Sequence, residues 1–470
     1  MKKIFLSTGV LIVLLMAQSS YSALSIDEYL NQAKTKNPMF KSYDLSIEAT
    51  QDKMISADMD LSPVVTAGYL KSKDKSLPSA VALGERSLDQ YSMGLAKKFS
   101  TGTAVRIDAQ TNDFKNESPL VPSLDQFSTG SLGITVSQSL WKDFLGAGTR
   151  NKIERQRVST KIEMTAAELQ RRGFLIQLEN DFWDYAVAIE DLKLKKSNLE
   201  RAQKMESWTA KRVSNGISDQ SDLLNIKALS ALRSLQFQTA EEELKSQKNK
   251  FRENLGLTEG EINPEIKADL THERTYIKDL MNKKNIVSLD SEISKYESET
   301  KSYVSDEVKD NLRPDLSVFG SYQTTAFQRD HTDTVSKITA TDYPKLAMGV
   351  NLNWILETDS KSGLRDSAMK ESMASRLKFE KKRALSNKDW QELLRKYELT
   401  QKNIKLLEQI AIFQRDRSKK EQDKFLQGRT VTATVVTAET EAAEAEVTLL
   451  KAKAGLKKLE ASGLLFTSLD

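Results

Sequence analysis

Two hydrophobic periods alternate along this chain. Apolar residues stand at every second position in Leu132, Ile134, Val136 and Leu140, with Ser131, Gly133, Thr135, Ser137 and Ser139 between them. Leu346, Met348, Val350, Leu352, Trp354 and Leu356 repeat the alternation against Ala347, Gly349, Asn351 and Asn353. Period two over about ten residues is the length and pattern of a membrane-crossing strand, and it fits a soluble sandwich with one wet face equally well. Tyr91, Met93 and Leu95 alternate too, as do Val105, Ile107 and Ala109. Ser100-Thr101-Gly102 between these two runs predicts a hairpin turn. Polar segments near 74–88 and 114–126 flank them, giving short turns on one side and long polar loops on the other. The first half is thus expected to supply four strands, and the second half two, near 314–324 and 344–356.

The other period is 3.5. Leu175, Leu178, Phe182, Tyr185, Ile189 and Leu192 are spaced as a coiled-coil seam. From Thr149 to Ser214 there is no proline and a single glycine, Gly173, which predicts a helix about 100 Å long at 1.5 Å per residue. Trp390, Leu393, Tyr397, Thr400, Ile404, Leu407 and Ala411 carry the same seam in the second half. Return helices are expected at about 219–255 and 431–461. Aromatics at seam positions read as core, and the runs Lys193-Lys195-Lys196 and Lys381-Lys382-Arg383 read as solvated helix faces.

The order of features occurs twice. A short opening helix at Tyr29 to Glu48 contains Asn37-Pro38, and Ile277 to Glu297 carries Asn285 at the matching place. Pro63 precedes a strand ending in Gly68-Tyr69, as Pro314 precedes one ending in Gly320-Ser321-Tyr322. Gly133-Ile134-Thr135-Val136 pairs with Gly349-Val350-Asn351-Leu352, and the helix turns Asn215-Gly216 and Gln427-Gly428 pair with each other. Aliphatic pairs, Leu223-Leu224 and Val435-Val436, follow those turns. The expected organisation is a first repeat, 23–256, with strands at about 63–141 and a helical hairpin at about 149–255. The second repeat, 257–470, has strands at about 314–356 and a hairpin at about 361–461.

Composition narrows the function classes. Lys2, Lys3, the apolar run Ile4 to Ala17 and the small residues Ser20 and Ser22 predict a secretory signal peptide over 1–22. Without it the formal charge falls from +4 to near neutrality, which argues against a nucleic-acid partner. There is no cysteine, hence no disulfide framework, thiolate metal site or lipoprotein anchor. His272 and His331 stand apart in polar contexts, there is no glycine-rich phosphate loop, and the carboxylates are spread along helix faces. No enzyme, metal site or cofactor is expected.

An exported, duplicated chain whose strands feed long coiled-coil hairpins resembles the TolC family of outer-membrane efflux and secretion channels. The marks that carry the resemblance are Leu24-Ser25-Ile26-Asp27-Glu28 with Asn37-Pro38, the Pro to Gly-x-Tyr strands, and the turns Asn215-Gly216-Ile217 and Gln427-Gly428-Arg429. It implies an α+β membrane channel: a long antiparallel α-helical coiled-coil barrel, internally duplicated, with a transmembrane β-barrel completed by trimerisation. Four or six strands from one chain are too few to close a barrel. The implied role is the outer-membrane exit duct of a tripartite efflux pump or type I secretion system, conducting passively across periplasm and outer membrane. The implied partners are two further copies, a periplasmic adaptor, an inner-membrane pump and outer-membrane lipid. A periplasmic adaptor or structural coiled-coil protein without a pore is the alternative.

The resemblance also places a docking and gating tip at the helix turns. The matching positions are Gly216, Ser221, Asp222 and Asn225 in the first repeat, and Phe425, Gly428, Arg429, Thr430, Thr434 and Thr437 in the second. Relatives latch this tip with an Asp from the first repeat, a Tyr three before the second glycine and an Arg two after it. Here Asp222 is present, Phe425 lacks the hydroxyl, and Arg429 falls one residue early with Thr430 in its place. Thr437 stands where some relatives carry an Asp ring. The expectation is closure by helix packing and neutral side chains.

Overall fold

The computed structural model describes residues 24–75, 84–117, 119–257, 266, 270, 274–340 and 343–468. The signal-peptide segment, His272 and most of the 74–88 loop lie outside them. Two compact units are built from interleaved stretches: 24–43, 170–286 and 390–468 in one, 44–169 and 287–389 in the other.

The second unit contains one antiparallel sheet of six strands. β1 (Val64–Asp74), β2 (Arg86–Lys98), β3 (Thr103–Asn116) and β4 (Gln126–Ser139) follow one another as a meander. The three-residue β5 (Ile286–Ser288) stands apart, and β6 (Asp315–Gln328) and β7 (Pro344–Asn353) complete the order β1-β2-β3-β4-β6-β7. The turn expected at Ser100-Thr101-Gly102 is closed by the Phe99 N–H donating to the Thr103 carbonyl at 2.8 Å. β7 stops at Asn353, short of the alternation that continues to Leu356. Its last partner is Asp315, and Pro314 before it has no N–H to extend the ladder.

Helices flank the strands. The opening helix is two: α1 (Ile26–Lys36) and α2 (Pro38–Ile55). Asn37 breaks them, its side-chain oxygen accepting from the Met39 N–H at 2.9 Å, and Pro38 takes the first helical position, where a missing N–H costs nothing. At the top of α1, Ser25 and Glu28 form a reciprocal capping box. The helix expected at Ile277 to Glu297 is also divided, into α5 (Tyr276–Met281) and α6 (Leu289–Asn311), with Asn285 between them at φ 53°. That left-handed conformation is open to Asn but ends a helix. A short α7 (His331–Lys337) joins β6 to β7.

The long hairpins are α3 (Ala147–Ser214) with α4 (Gln220–Asn254), and α8 (Asp359–Leu426) with α9 (Thr432–Ser462), before a terminal β8 (Phe466–Ser468). α3 and α8 are each 68 residues long and contribute to both units. The seams read from sequence are core: Leu178 and Phe182 are fully buried and pack with Tyr29 and Phe251, while Trp390, Leu393 and Tyr397 pack with Ile277 and Phe466. The turn glycines Gly216 and Gly428 have positive φ, whereas Gly148, Gly173, Gly363 and Gly455 are accommodated inside the helices.

Candidate functional site

The sheet has two chemically opposite faces, and its register shows which residues share each. Directly opposed residues lie on one face. Ala67, Met93, Ala109, Leu132 and Thr324 form one cross-strand row, and Val65, Leu95, Ile107, Ile134, Tyr322 and Leu346 the next. Val105, Val136, Gly320 and Met348 continue the same face. It is apolar and open, with Met348 80%, Leu346 69% and Val65 68% exposed. On the other face the sheet forms a concavity lined mainly by Thr66, Gln90, Ser92, Arg106, Asp108, Gln110, Ser131, Thr135, Ser321 and Gln323. Arg106 donates to Asp108 there at 2.7 Å. An apolar convex face and a polar concave one invert the sidedness of a water-soluble protein, whose sheets bury the apolar face.

The apolar stretch shifts along the strands between the first edge of the sheet and the last. It is centred on Ala67 in β1, and the row through Ala67 reaches β7 at Pro344. In β7 the stretch Leu346 to Leu352 is centred near Met348 and Val350, five residues farther along. Five residues are about 17 Å, and five strand spacings about 24 Å, so a level apolar band crosses these strands only if they tilt by about 35°. That is the tilt of strands in a membrane barrel.

One end of the apolar face is covered by α7. Gly130 lacks the Cβ that would come within 2.7 Å of Thr334, so the helix can lie against β4. His331, which stands in a polar context in the sequence, is paired by Nδ1 with Asp113 at 2.9 Å and meets the edge of Tyr91. Tyr91 in turn contacts Tyr69, with ring centroids 5.1 Å apart.

The helix turns form a second candidate site, within the other unit. Both end in the same cap. Gly216 at φ 71° sends its N–H to the Val213 carbonyl, and Ile217 sends its own to Arg212; Gly428 at φ 74° repeats this with Phe425, and Arg429 with Lys424. This is a Schellman motif, which requires the left-handed conformation that glycine adopts without strain. Phe425 is buried and lies 4.8 Å from Trp208, beside Met205, Ile226 and Val435, and Arg212 stacks over Trp208 at 4.6 Å. Asp222 accepts from Ser218 at 2.8 Å and from the buried Thr432. The Thr432 and Ser218 hydrogen bonds, in that order, hold its carboxyl below the usual range. Thr430 bonds the Glu421 carboxylate, and the hydroxyl of Thr437 turns back onto Ala433. Ser221, Asn225, Gly428 and Arg429 are exposed and Thr434 is half-buried.

The structure therefore brings Phe425 and Asp222 into inter-hairpin contacts. Thr432, Trp208, Arg212 and Met205, which complete those contacts, were not singled out from the sequence. Met205, Trp208 and Arg212 are spaced three and four apart, but they fall outside the register of the Leu175 to Leu192 seam, so a heptad count carried along α3 passes them by. Farther up the hairpins, buried Glu439 of α9 accepts from Ser418 of α8 at 2.6 Å and from Arg201 of α3 at 3.2 Å. Arg233 of α4, also buried, reaches Thr440 of α9 at 3.3 Å, and desolvation lowers its pKa. This polar network links all four long helices. A second buried group joins Arg274 to Glu179 at 3.1 Å and Tyr276 to Glu179 at 2.8 Å. Burial, the larger effect, raises the Glu179 pKa despite Arg274. Among the described residues no group of three or more metal-ligating side chains is arranged to hold a metal ion.

No protein-family model and no curated protein sequence matches the chain. Solved structures do. The outer-membrane channel OprN is 15% identical, with 93% of this chain and 89% of that chain covered and a TM-score of 0.66. The outer membrane protein VceC from Vibrio cholerae is 13% identical, with coverage of 93% and 95% and a TM-score of 0.66. The open state of the MtrE outer membrane channel of Neisseria gonorrhoeae is 13% identical, with coverage of 93% and 87% and a TM-score of 0.65. The chain thus has the α+β fold of the TolC-type outer-membrane channels along nearly its whole described length.

Proposed function

We propose that this chain is one protomer of a trimeric exit duct in the outer membrane, the passive terminal segment of a tripartite efflux pump or type I secretion system. The observation that carries the reading is the sheet: apolar outside, polar within, and slanted as a membrane barrel requires. A pore-less periplasmic coiled-coil protein would have no use for such a face. The fold it shares with outer-membrane channels supports the same location. In this reading the polar face lines the conduit and the closed sheet satisfies its own backbone hydrogen bonds. The repeats 23–256 and 257–470 each contribute strands and one helical hairpin, and the matched Schellman turns support a duplicated origin.

The long helices wind into the periplasmic conduit, and the turns at Asn215 to Asn225 and Phe425 to Thr437 form the tip where an adaptor docks. The tip is held shut by the Phe425–Trp208 packing and the Asp222–Thr432 bond, in place of a charged latch. Loosening these helices relative to one another opens the path. Work and cargo choice come from a pump in the inner membrane. Expression in a Gram-negative host tests the reading: the protein should fractionate with the outer membrane as a heat-labile trimer and raise the conductance of planar bilayers. Recovery as a soluble periplasmic monomer would sink it.

A further inference from the structure

The concave face of the sheet is polar along most of its length, but its chemistry changes at the end of the strands opposite the Ser100–Gly102 turn. Leu88 of β2, Phe114 of β3 and Phe127 of β4 are directly opposed there, and Phe327 of β6 is diagonal to Phe127. Strand alternation puts all four on the same side as Gln90, Gln110, Ser131 and Gln323, the polar side. The three phenyl rings are stacked. Phe114 and Phe127 have centroids 4.8 Å apart and Phe127 and Phe327 5.3 Å, with 22° between the planes of each pair. Two half-buried rings suffice to tie β3 to β4 as a cross-strand pair. The third, Phe327, is 58% exposed and ends the stack. A contiguous apolar patch on a face that is elsewhere polar marks an interaction site.

Against Phe327 lies a recess of about 520 Å³, within the range that holds a small molecule, lined among others by Asn112, Thr129, Ser131, Thr325 and Tyr343. Thr325 donates to the Tyr343 carbonyl at 3.1 Å, which holds Tyr343 beside the recess, and Tyr343 is itself 73% exposed. Thr129 accepts from Asn112 at 3.3 Å, so its own O–H is left to donate. The charges next along this face are paired, Arg86 with Asp74 at 2.5 Å and Arg329 with Asp125 at 3.1 Å. Lys345, exposed two residues from Tyr343, adds a cation on that side. We propose that Phe114, Phe127, Phe327 and Tyr343 form a stacking site for small aromatic molecules, neutral or anionic, at the outer mouth of the conduit. A planar ring lies on Phe327 and continues the stack, while its polar substituents meet Thr129 and Asn112. Ring faces favour ring-bearing cargo over saturated chains of similar size, so such cargo is retained at the mouth before release. The inference rests on the conduit reading for its location at the mouth. The site itself is complete within one copy of the chain.

The probe is N-acetyltryptophanamide, neutral and water-soluble, with N-acetylleucinamide as the ring-free comparator. Each is titrated against the full chain in lipid nanodiscs by saturation-transfer NMR. The expected result is saturable binding of the first, at least tenfold tighter than of the second, with the indole protons the most strongly saturated. Phe327→Leu keeps an apolar side chain but removes the ring, and is expected to weaken binding about tenfold, whereas Phe327→Trp is expected to retain it. Equal affinity for the two probes, or an unchanged affinity in Phe327→Leu, overturns the site. Should Phe327→Leu fail to assemble, Tyr343→Leu, just ahead of β7, decides the point in its place: weakened indole binding supports the site and unchanged binding overturns it. Bilayer conductance of the unmodified protein separates the two readings. Conductance without ring binding overturns the site and leaves the channel standing, whereas ring binding without conductance supports the site and overturns the conduit.

Discussion

At the scale of residues, the tip is where single side chains have the most leverage. Thr432→Val removes one hydrogen bond to the Asp222 carboxylate, a partly exposed group, so the loss is about 1 kcal/mol, or about a fivefold rise in the loosened population. Resting bilayer conductance should rise accordingly, and an unchanged value would remove Thr432 from the closure. The same bond predicts a pH dependence. Because the folded state depresses the Asp222 pKa, its contribution is present above the unfolded value of about 3.9 and is lost as pH falls through the folded value. Closure should therefore be insensitive to pH between 5 and 8 and weaken in strong acid, and Asp222→Asn should abolish that acid step. Phe425→Ala empties a buried site beside Trp208 and is expected to cost about 3 kcal/mol, read as a lower thermal midpoint of the helical domain and a leaky tip. Asp222 and Phe425 were pointed to by the resemblance, which matched them by position to the tip of relatives. Thr432 was not, because a hydrogen bond between two hairpins depends on how the helices pack side by side.

At the scale of elements, the hairpins combine an apolar seam with one buried polar network. Glu439 is almost fully buried and is paired with Arg201, so Arg201→Met leaves its carboxylate with the Ser418 hydroxyl as hydrogen-bond donor and the Arg233 guanidinium as the remaining nearby cation. Removing one member of a buried pair typically costs about 3–5 kcal/mol. Because Arg201 is about one-third exposed, the lower end of that range or less is expected, and chemical denaturation of the trimer would measure it. The double change Arg201→Met with Glu439→Leu should recover most of the loss, which a role in simple charge balance of the surface would not predict. The turns were legible because glycine in a left-handed cap is a local requirement, satisfied by residues within one helical turn. The division of the opening helices was half legible: Asn37-Pro38 marked one break, whereas Asn285 was read as a helical position and proved to be a left-handed one.

At the scale of the whole molecule, the sheet sets the test. Met348→Lys puts a charge on the apolar face, where burial in hydrocarbon is expected to cost about 2–4 kcal/mol near the bilayer midplane. Ala347→Lys, one residue away, faces the polar side and should be tolerated. Outer-membrane yield of heat-labile oligomer should fall for the first variant and not for the second. Equal behaviour of the two would mean that neither face meets lipid.

The sequence by itself determined the periods, and with them the kinds of element, the four and two strands, the long helices and the glycine turns, since each follows from side chains repeating along a local backbone. It could not decide which face of the sheet is convex, because alternation looks the same whether the apolar side meets a core or a membrane. Nor could it show the slant of the apolar band, which appears only when the register of six strands, two of them contributed from the other end of the chain, is known. The pairing of Asp222 with Thr432 and of Arg201 with Glu439 belongs to the same class. These contacts join residues more than two hundred positions apart, and only the packing of helix on helix brings them together.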